Sequence, residues 1–561
     1  MNRKSCYSAL LGATIMLTGC SKKMNQFQAD YFTVNPNPLE VVGEKVPATV
    51  TANVPAKFFK KNAEVTVTPY LVYNGTETAS TSYTFQGEKV RGNNPVINYE
   101  NGGTVTIPVS YLYQPEMAQS VLSLAFNVKQ GNKQYVLPRV DVATGVIATA
   151  AMADAGNANP AITPDKFQRV INEKYAADIL FLINVANIRA NQLNTQSMED
   201  LRAQIKNAND NDRLDLKEIN IKSYASPDGP LGFNTKLAEN REKNTMNYVE
   251  KQLKKDDITK FGELTAHFTP EDWDGFKKLV SESNLQDKEL ILSVLSMYQD
   301  PETREREIRN MAAIFDQLAD DILPQLRYSR ITASVDVIGK SDDEIKAAFA
   351  KDPSTLTVDE ILYCATLTDN NGEQLKIYEA AAKLYPNDYR TLNNLGMAQY
   401  RAGKYDAAKK SFAQAARLAP KNGEPQLNLG LVALKEGDYA AAQKYFGNAA
   451  GVNELNEALG AYYLKQGDNA AAARALAGVK SNNAALAQIL NKDYSAAKTT
   501  LSGIANPDAT TYYLMAVLGA RTNNENMITT NLRQAIKLDQ NMAKRAATDL
   551  EFARYNLSSA L

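Results

Sequence analysis

The chain has 561 residues, of which 44% are hydrophobic and 22% are charged, an ordinary globular composition that suits three or four domains. Its formal net charge is −1, so it lacks the basic excess that neutralises phosphates, and we predict no nucleic-acid partner. The three cysteines, Cys6, Cys20 and Cys364, and the single histidine, His267, are too few for a zinc cluster. Neither a phosphate-binding glycine loop nor a Gly-x-Ser-x-Gly elbow is present, so we predict no metal, no cofactor and no enzymatic activity.

The first twenty residues have the pattern of an export signal. A positive start and a short apolar run lead to Leu17-Thr18-Gly19-Cys20, and the run is too short to span a bilayer permanently. These four residues resemble the lipobox of bacterial lipoproteins. The resemblance implies that residues 1–19 are a signal peptide, that Cys20 carries a diacylglyceryl group, and that residues 20–27 are a lipidated tether to the membrane.

No acidic residue directly follows Cys20. Surface-exposed lipoproteins of Bacteroidota often carry acidic residues there, so the resemblance implies the periplasmic face of the outer membrane, with the cell surface as the alternative.

Residues 28–148 predict an antiparallel β-sandwich of the immunoglobulin-like kind. Hydrophobic residues alternate with polar ones over 65–68 and 122–128, which is the period of a half-buried strand, and turn signals such as Asn74-Gly75 recur. The region is rich in tyrosine, which packs strands and also stacks on ligands, so a glycan-binding lipoprotein is an alternative function. These tyrosines are Tyr70, Tyr73, Tyr83, Tyr99, Tyr111 and Tyr113.

Residues 149–164 are rich in alanine, glycine, asparagine and proline and predict a linker. Residues 165–340 mix strand and helix patterns and predict an α+β domain, with a helical insertion over 257–325 before the last strand. The predicted strands are 177–185, 218–223 and 330–338, and the predicted helices are 198–206 and 234–253.

The stretch from Ser226 and Asp228 to Asn234 and Arg241 resembles the peptidoglycan-associating domain of OmpA-like proteins. The resemblance implies that an aspartate of the loop and Arg241 hold the diaminopimelate of the wall peptide, and that Asn234 opens the helix motif. Ser226 stands where that aspartate belongs, and Asp228 follows two residues later. These four residues are the candidate peptidoglycan-binding set; a structural role for Arg241 is the alternative.

Residues 355–561 lack strand signals and contain an internal repeat. Gly396 and Gly430, and likewise Phe412 and Phe446, are 34 residues apart, which is the period of the tetratricopeptide repeat (TPR). The resemblance implies five or six helix pairs stacked in a right-handed solenoid with a concave groove.

Asn394 and Asn428 occupy equivalent positions in two successive repeats. In the TPR family an asparagine at this position faces the groove and can hydrogen-bond a peptide backbone, because its amide both donates and accepts. The resemblance therefore makes these two residues a candidate peptide groove; the alternative is that they are polar surface.

The predicted architecture is multidomain: an N-terminal antiparallel β-sandwich, a central α+β OmpA-like domain with a helical insertion, and a C-terminal all-α TPR solenoid. We predict a lipid-anchored scaffold that binds envelope proteins through its TPR groove. The alternatives are a structural tether that binds peptidoglycan through the OmpA-like domain and a glycan-binding lipoprotein.

Overall fold

The computed structural model describes residues 23–285, 287–310 and 312–561, which form two compact units. The first unit runs to Pro164 and resumes over Asn370–Leu561, and the second unit is Asp165–Asp369. The predicted signal peptide, residues 1–19, and the predicted lipidation site, Cys20, lie outside the described residues. No helix in the described ranges is both long enough and apolar enough to cross a bilayer.

The N-terminal part of the first unit consists mainly of antiparallel sheets. Two larger sheets have the strand orders β1-β3-β8 and β10-β9-β4-β6-β7, with β5 on β4, and they share one hydrophobic core. Every second residue of β4 is buried, as its alternation of Val and Thr predicts. The strands are β1 Phe32–Asn35, β2 Leu39–Glu40, β3 Lys45–Val54, β4 Ala63–Tyr73, β5 Thr76–Ala79, β6 Tyr83–Gly87, β7 Val96–Ile97, β8 Gly103–Leu112, β9 Ser120–Gln130, β10 Lys133–Thr144 and β11 Val146–Ile147.

The predicted tether, residues 20–27, overlaps the folded core. Met24 and Phe27 are buried, the Phe27 ring stacks on Phe126 with 4.4 Å between centroids, and the Met24 N–H donates to the Tyr135 hydroxyl at 3.0 Å. The folded part therefore begins at Met24 rather than at residue 28. We call residues 24–147 the sheet region.

The second unit contains a four-stranded sheet of order β12-β15-β13-β14, in which only β13 and β14 are parallel neighbours. Its strands are β12 Val170–Leu180, β13 Leu214–Tyr224, β14 Glu263–Thr269 and β15 Tyr328–Ile338. Its helices are α1 Gln196–Asp210, α2 Leu231–Lys255, α3 Trp273–Glu282, α4 Lys288–Met297, α5 Pro301–Asn310, α6 Ala312–Asp321, α7 Asp342–Lys351 and α8 Val358–Cys364.

Two predictions for this unit were wrong in detail. The first strand, β12, covers 170–180 rather than 177–185; its first six residues are exposed or half-buried and show no hydrophobic period. Residues 263–269 are strand β14 rather than part of the helical insertion, because they pair in parallel with β13. β14 is an edge strand without a buried residue, so burial imposes no alternation on its sequence. The inserted helices begin at Trp273.

The C-terminal part of the first unit is a run of helices, as predicted. It starts with α9, because α8 belongs to the second unit, so the boundary predicted at residue 355 lies closer to 370. The helices are α9 Asn371–Leu384, α10 Tyr389–Arg401, α11 Tyr405–Leu418, α12 Gly423–Lys435, α13 Tyr439–Gly447, α14 Leu455–Gln466, α15 Asn469–Ala475, α16 Asn482–Leu490, α17 Tyr494–Ser502, α18 Ala509–Arg521, α19 Glu525–Leu538 and α20 Asn541–Thr548. We call this run the helical region.

Glycines in the first helix of successive pairs let the second helix approach closely. A Cβ at Gly396 would lie 2.6 Å from the Phe412 ring, and a Cβ at Gly430 would lie 2.5 Å from the Phe446 ring. Both phenylalanines are buried. The repeated Gly and Phe positions are therefore one packing contact made twice, which explains their common spacing.

Candidate peptide groove

Asn394 and Asn428 hold the same position on α10 and α12. Each is the sixth residue of its helix, and each stands two residues before the glycine that admits the next helix. Both side chains are buried, with exposed fractions of 1% and 0%. A buried amide needs hydrogen-bond partners for its donor and its acceptor, because an unmet group costs about 1–3 kcal/mol. The prediction that they are polar surface is therefore wrong.

The partner of these asparagines is a segment of the same chain. Asn428 accepts from the Ala161 N–H at 2.7 Å and donates to the Ala161 carbonyl at 2.8 Å. Asn394 accepts from the Thr163 N–H at 2.8 Å and donates to the Thr163 carbonyl at 2.9 Å. Each amide thus satisfies both backbone groups of one residue, and the two bound residues are two apart, the spacing of an extended chain.

Three further side chains, which the repeat spacing did not predict, extend this contact. Asn483 on α16 donates to the Asp154 carbonyl at 2.8 Å and accepts from its N–H at 3.3 Å. Asn393 donates to the Ala161 carbonyl at 3.0 Å, and the Tyr400 hydroxyl donates to a backbone carbonyl of the same segment at 3.1 Å.

Asn483 stands two residues before Ala485, as Asn394 stands two before Gly396. This spacing alone does not mark the groove, because Asn482 also stands two residues before a buried alanine and donates to Asp508 instead. We call Asn394, Asn428 and Asn483 the asparagine ladder. At the corresponding place on α14 the residue is Ala458, so the ladder has a gap between Asn428 and Asn483.

An ion pair holds the start of the segment. Lys435 on α12 contacts the Asp154 carboxylate at 2.8 Å. Burial raises the pKa of Asp154, but the hydrogen bonds from Lys435 and the Gly156 N–H outweigh it, and the net pKa lies below its ordinary value of 3.8. The carboxylate is therefore charged at neutral pH and its pairing adds to the contact.

Residues 149–164, predicted as a linker, are thus docked in the helical region as far as Thr163. Their buried members are small: Ala155, Ala158 and Ala161 are each at most 1% exposed. Small side chains let the backbone come within hydrogen-bond distance of the asparagines, and the same composition, without a hydrophobic period, is typical of a linker. We call residues 153–163 the docked segment.

A family model for the tetratricopeptide repeat matches residues 389–422, which contain α10 and α11. The C-terminal region contains tetratricopeptide repeats. The matched helix pair carries Asn394, whereas Asn428 and Asn483 lie on later helices outside the matched residues. A search of curated proteins finds no match.

Solved TPR structures resemble part of the chain. A TPR protein from Parabacteroides merdae is 15% identical with a TM-score of 0.30, covering 37% of this chain and 91% of its own. YrrB, described as a TPR protein with an unusual peptide-binding site, is 20% identical with a TM-score of 0.19, covering 37% and 99%. Yeast Tom70 is 14% identical with a TM-score of 0.26, covering 57% and 73%. TM-scores this low do not define a shared fold.

The candidate peptidoglycan-binding residues lie inside the second unit. Arg241 is fully buried, and its guanidinium donates to the carbonyls of Leu182, Tyr224 and Val185 at 3.1, 2.8 and 3.1 Å. Burial, and then the nearby charge of Arg327, lower its pKa to about 10. The guanidinium of Arg241 therefore donates to backbone carbonyls and does not face an incoming carboxylate. The prediction that Arg241 binds the wall peptide is corrected accordingly. The predicted alternative, a structural role, fits, although its partners are carbonyls rather than acidic side chains.

The other three candidates also have internal partners. Asp228 pairs with Arg327 at 3.0 Å and accepts a hydrogen bond from Ser226. Asn234 is buried and donates to the Gly229 carbonyl at 2.8 Å and to Glu271 at 3.1 Å. The predicted residues therefore do come together around one loop, but as a network that fixes the loop.

The tyrosines of the sheet region do not share one exposed face. Tyr73 and Tyr111 are buried, and Tyr70 lies under the Arg139 guanidinium, which is 4.5 Å from the ring centre. Among the residues that the structure describes, no group of three His, Cys, Asp or Glu side chains is arranged to hold a metal ion.

Proposed function

We propose that this chain is a non-enzymatic protein-interaction scaffold of the bacterial cell envelope, held at the periplasmic face of the outer membrane by lipid on Cys20. The observation that supports it best is the asparagine ladder, in which Asn394, Asn428 and Asn483 each bind the N–H and the C=O of one residue of an extended chain. Such contacts recognise main chain rather than particular side chains, which suits a site for protein segments.

The docked segment shows what the groove accepts. It has one 3-10 turn, at Ala155–Asn157, and no strand or other helix, and its buried side chains are no larger than proline or threonine. A partner segment with the same small residues would enter when the docked segment leaves. The docked segment competes at the high effective concentration that a covalent link provides, so partner binding is weak until it is released.

A peptide-binding experiment on the full chain tests this proposal. A fluorescent peptide of residues 150–165 is added to the wild type and to a variant whose residues 153–163 are replaced by Gly and Ser at the same length. We expect binding to the variant and at least about tenfold weaker binding to the wild type. A folded variant that does not bind the peptide would contradict the proposal.

Point variants in the replaced background identify the groove. Asn394→Ala with Asn428→Ala should weaken peptide binding strongly, because two of the three asparagines of the ladder lose their donor and acceptor. The matched control is Asn448→Ala, an exposed asparagine after α13. Crosslinking and mass spectrometry in intact cells then compare the same variants. Envelope partners that persist unchanged in the double variant would show that the groove is not their binding site.

The envelope location is tested separately. Metabolic labelling with palmitate should mark the wild type and leave Cys20→Ala unlabelled, and only the wild type should fractionate with the outer membrane. Protease added to whole cells should leave the chain intact, whereas digestion would favour the cell surface.

The strand and helix order of the second unit supports an OmpA-like fold, and we propose this likeness for the fold alone. We do not propose wall binding, because Arg241, the residue predicted to hold the wall peptide, is buried and donates to backbone carbonyls. We expect the full chain not to sediment with purified peptidoglycan, and sedimentation above a bovine albumin control would restore the wall-tether alternative.

A further inference from the structure

Four chain segments meet at one end of the sheet region. The loop after β3 contacts the loop before β8, since the Lys57 N–H donates to the Tyr99 carbonyl at 2.5 Å. The Lys89 N–H donates to the Lys61 carbonyl at 2.8 Å. The β9–β10 turn joins them through Gln130, whose amide is 3.4 Å from Asn62. The fourth segment is the start of the described chain at Lys23, whose ammonium is 5.3 Å from the Tyr135 ring centre.

This end is basic although the whole chain has a net charge of −1. Most of its cations are exposed. Two of its carboxylates, Glu88 and Glu100, form ion pairs with Lys61 at 3.1 and 3.6 Å. The other carboxylates near it are Asp30 and Glu64. The cations, which we call the basic end, are Lys23, Lys57, Lys60, Lys61, Lys89, Arg91, Lys129 and Lys133.

The chain leaves the folded core at this same end. Met24 is 3% exposed and tied to Tyr135, and only Ser21, Lys22 and Lys23 separate it from Cys20. Four residue steps of extended chain span at most about 14 Å. A lipid on Cys20 therefore keeps Met24, which lies at the basic end, within about 14 Å of the anchored residue, whatever path those three residues take.

The helical region contacts the other end of the same strands. Glu44, just before β3, pairs with Lys465 at 3.7 Å, and Thr149, just after β11, donates to Glu551 at 2.5 Å. β3 has ten residues and so separates the two ends by about 33 Å. Membrane contact at the basic end thus leaves the contacts between the sheet and helical regions undisturbed.

We propose that the basic end of the sheet region is a membrane-contact surface that binds anionic lipid headgroups of the bilayer holding Cys20. The inference rests on the lipidation in the proposed function and adds the orientation that the lipid alone does not set. An acyl anchor and a basic patch act together, since each limits how far the other can leave the surface.

Vesicle flotation tests the surface without the lipid. The full mature chain with Cys20→Ser is mixed with vesicles of phosphatidylcholine, with or without phosphatidylglycerol. We expect flotation only with phosphatidylglycerol, lost in high salt, and weakened about tenfold or more by Lys57→Glu with Lys133→Glu. The matched control, Lys421→Glu with Lys498→Glu, reverses two exposed lysines of the helical region and should float like the parent. Equal flotation of the two double variants, or no flotation of the parent, would overturn the proposal.

A proximity measurement tests the orientation in the lipidated protein. A fluorophore on Asn132→Cys, in the β9–β10 turn, should be quenched by headgroup-labelled lipid, whereas one on Asn448→Cys should not. Equal quenching at both sites in protein that floats would overturn the orientation. Failure of lipidated protein to float with pure phosphatidylcholine would instead contradict the anchor, and so the proposed function.

Discussion

Asn428→Ala should release the docked segment without unfolding the repeats around it. The substitution removes the acceptor of the Ala161 N–H, at 2.7 Å, and one donor to the Ala161 carbonyl, at 2.8 Å. The carbonyl keeps a donor in Asn393 at 3.0 Å, but the N–H is left buried with no partner, and the Asn393 oxygen loses its contact with Asn428.

The magnitude follows from the groups left without partners. One buried N–H and one buried amide oxygen, at about 1–3 kcal/mol each, give roughly 2–6 kcal/mol against docking. Since about 1.4 kcal/mol is a factor of ten, the opening equilibrium of the segment rises by roughly 30-fold to 20,000-fold.

Amide hydrogen exchange measures this directly. Peptides covering residues 150–164 should exchange faster by that factor in Asn428→Ala, whereas peptides from α12 and α13 should change little. Asn448→Ala is the control and should exchange like the wild type throughout. Unchanged exchange over 150–164 in Asn428→Ala would refute the ladder as the force that holds the segment. Equal acceleration in α12 would show general unfolding of the repeats instead.

Three further outcomes follow from single contacts. Gly396→Ala should lower the unfolding free energy of the first unit by about 1–3 kcal/mol in denaturant titration, because its Cβ would meet the Phe412 ring at 2.6 Å, whereas Gly447→Ala, with open space around it, should not. Arg241→Met should destabilise the second unit by about 3 kcal/mol or more, because three buried carbonyls lose their donor; an unchanged midpoint would contradict its structural role. The pKa of Asp154 is lowered in the fold, so its contribution is present above pH 3.8 and is lost as the pH falls below that value. The protection factors of amides over 150–158, corrected for the intrinsic exchange rate at each pH, should therefore fall with acid in the wild type, and less so in Asp154→Asn.

The elements that the sequence predicted well are those in which burial imposes a period. The alternation over 65–68 became β4, and the recurrence of Gly396 and Phe412 after 34 residues became stacked helix pairs. In each case a buried side chain has a neighbour that tolerates only certain sizes, so the spacing is visible without the structure.

The elements that the sequence missed are held by main-chain contacts. β14 lies at a sheet edge and pairs through its backbone, so its side chains carry no strand pattern. Residues 153–163 are fixed mainly by side chains elsewhere that bind their carbonyls and N–H groups, and their own composition gives only the linker signal. Asn394 and Asn428 were predicted from their spacing, but the segment that they bind was predicted only as a linker.

The prediction that Arg241 binds the wall peptide failed for a different reason. A motif match names a residue type at a position, whereas exposure depends on the loops around it. Here the carbonyls of residues 182, 185 and 224 converge on the guanidinium, and each of its three nitrogens donates to one of them. The loop aspartate that would balance its charge is replaced by Ser226, and Asp228 turns to Arg327 instead. The hydrogen bonds of Arg241 to these carbonyls therefore explain an arginine at this position without an acidic partner.

Contacts to the main chain alone do not let the groove distinguish one peptide from another. Asn394 and Asn428 bind groups that every non-proline residue has, so they contribute affinity without identity. Identity has to come from the space beside them, where Ala161 is 0% exposed and a longer side chain would meet packed helices. Ala161→Leu should therefore expel the docked segment as effectively as loss of an asparagine, although every hydrogen-bonding group is kept. If hydrogen exchange over 150–164 stayed slow in Ala161→Leu, size would not be the filter, and the groove would accept almost any extended chain.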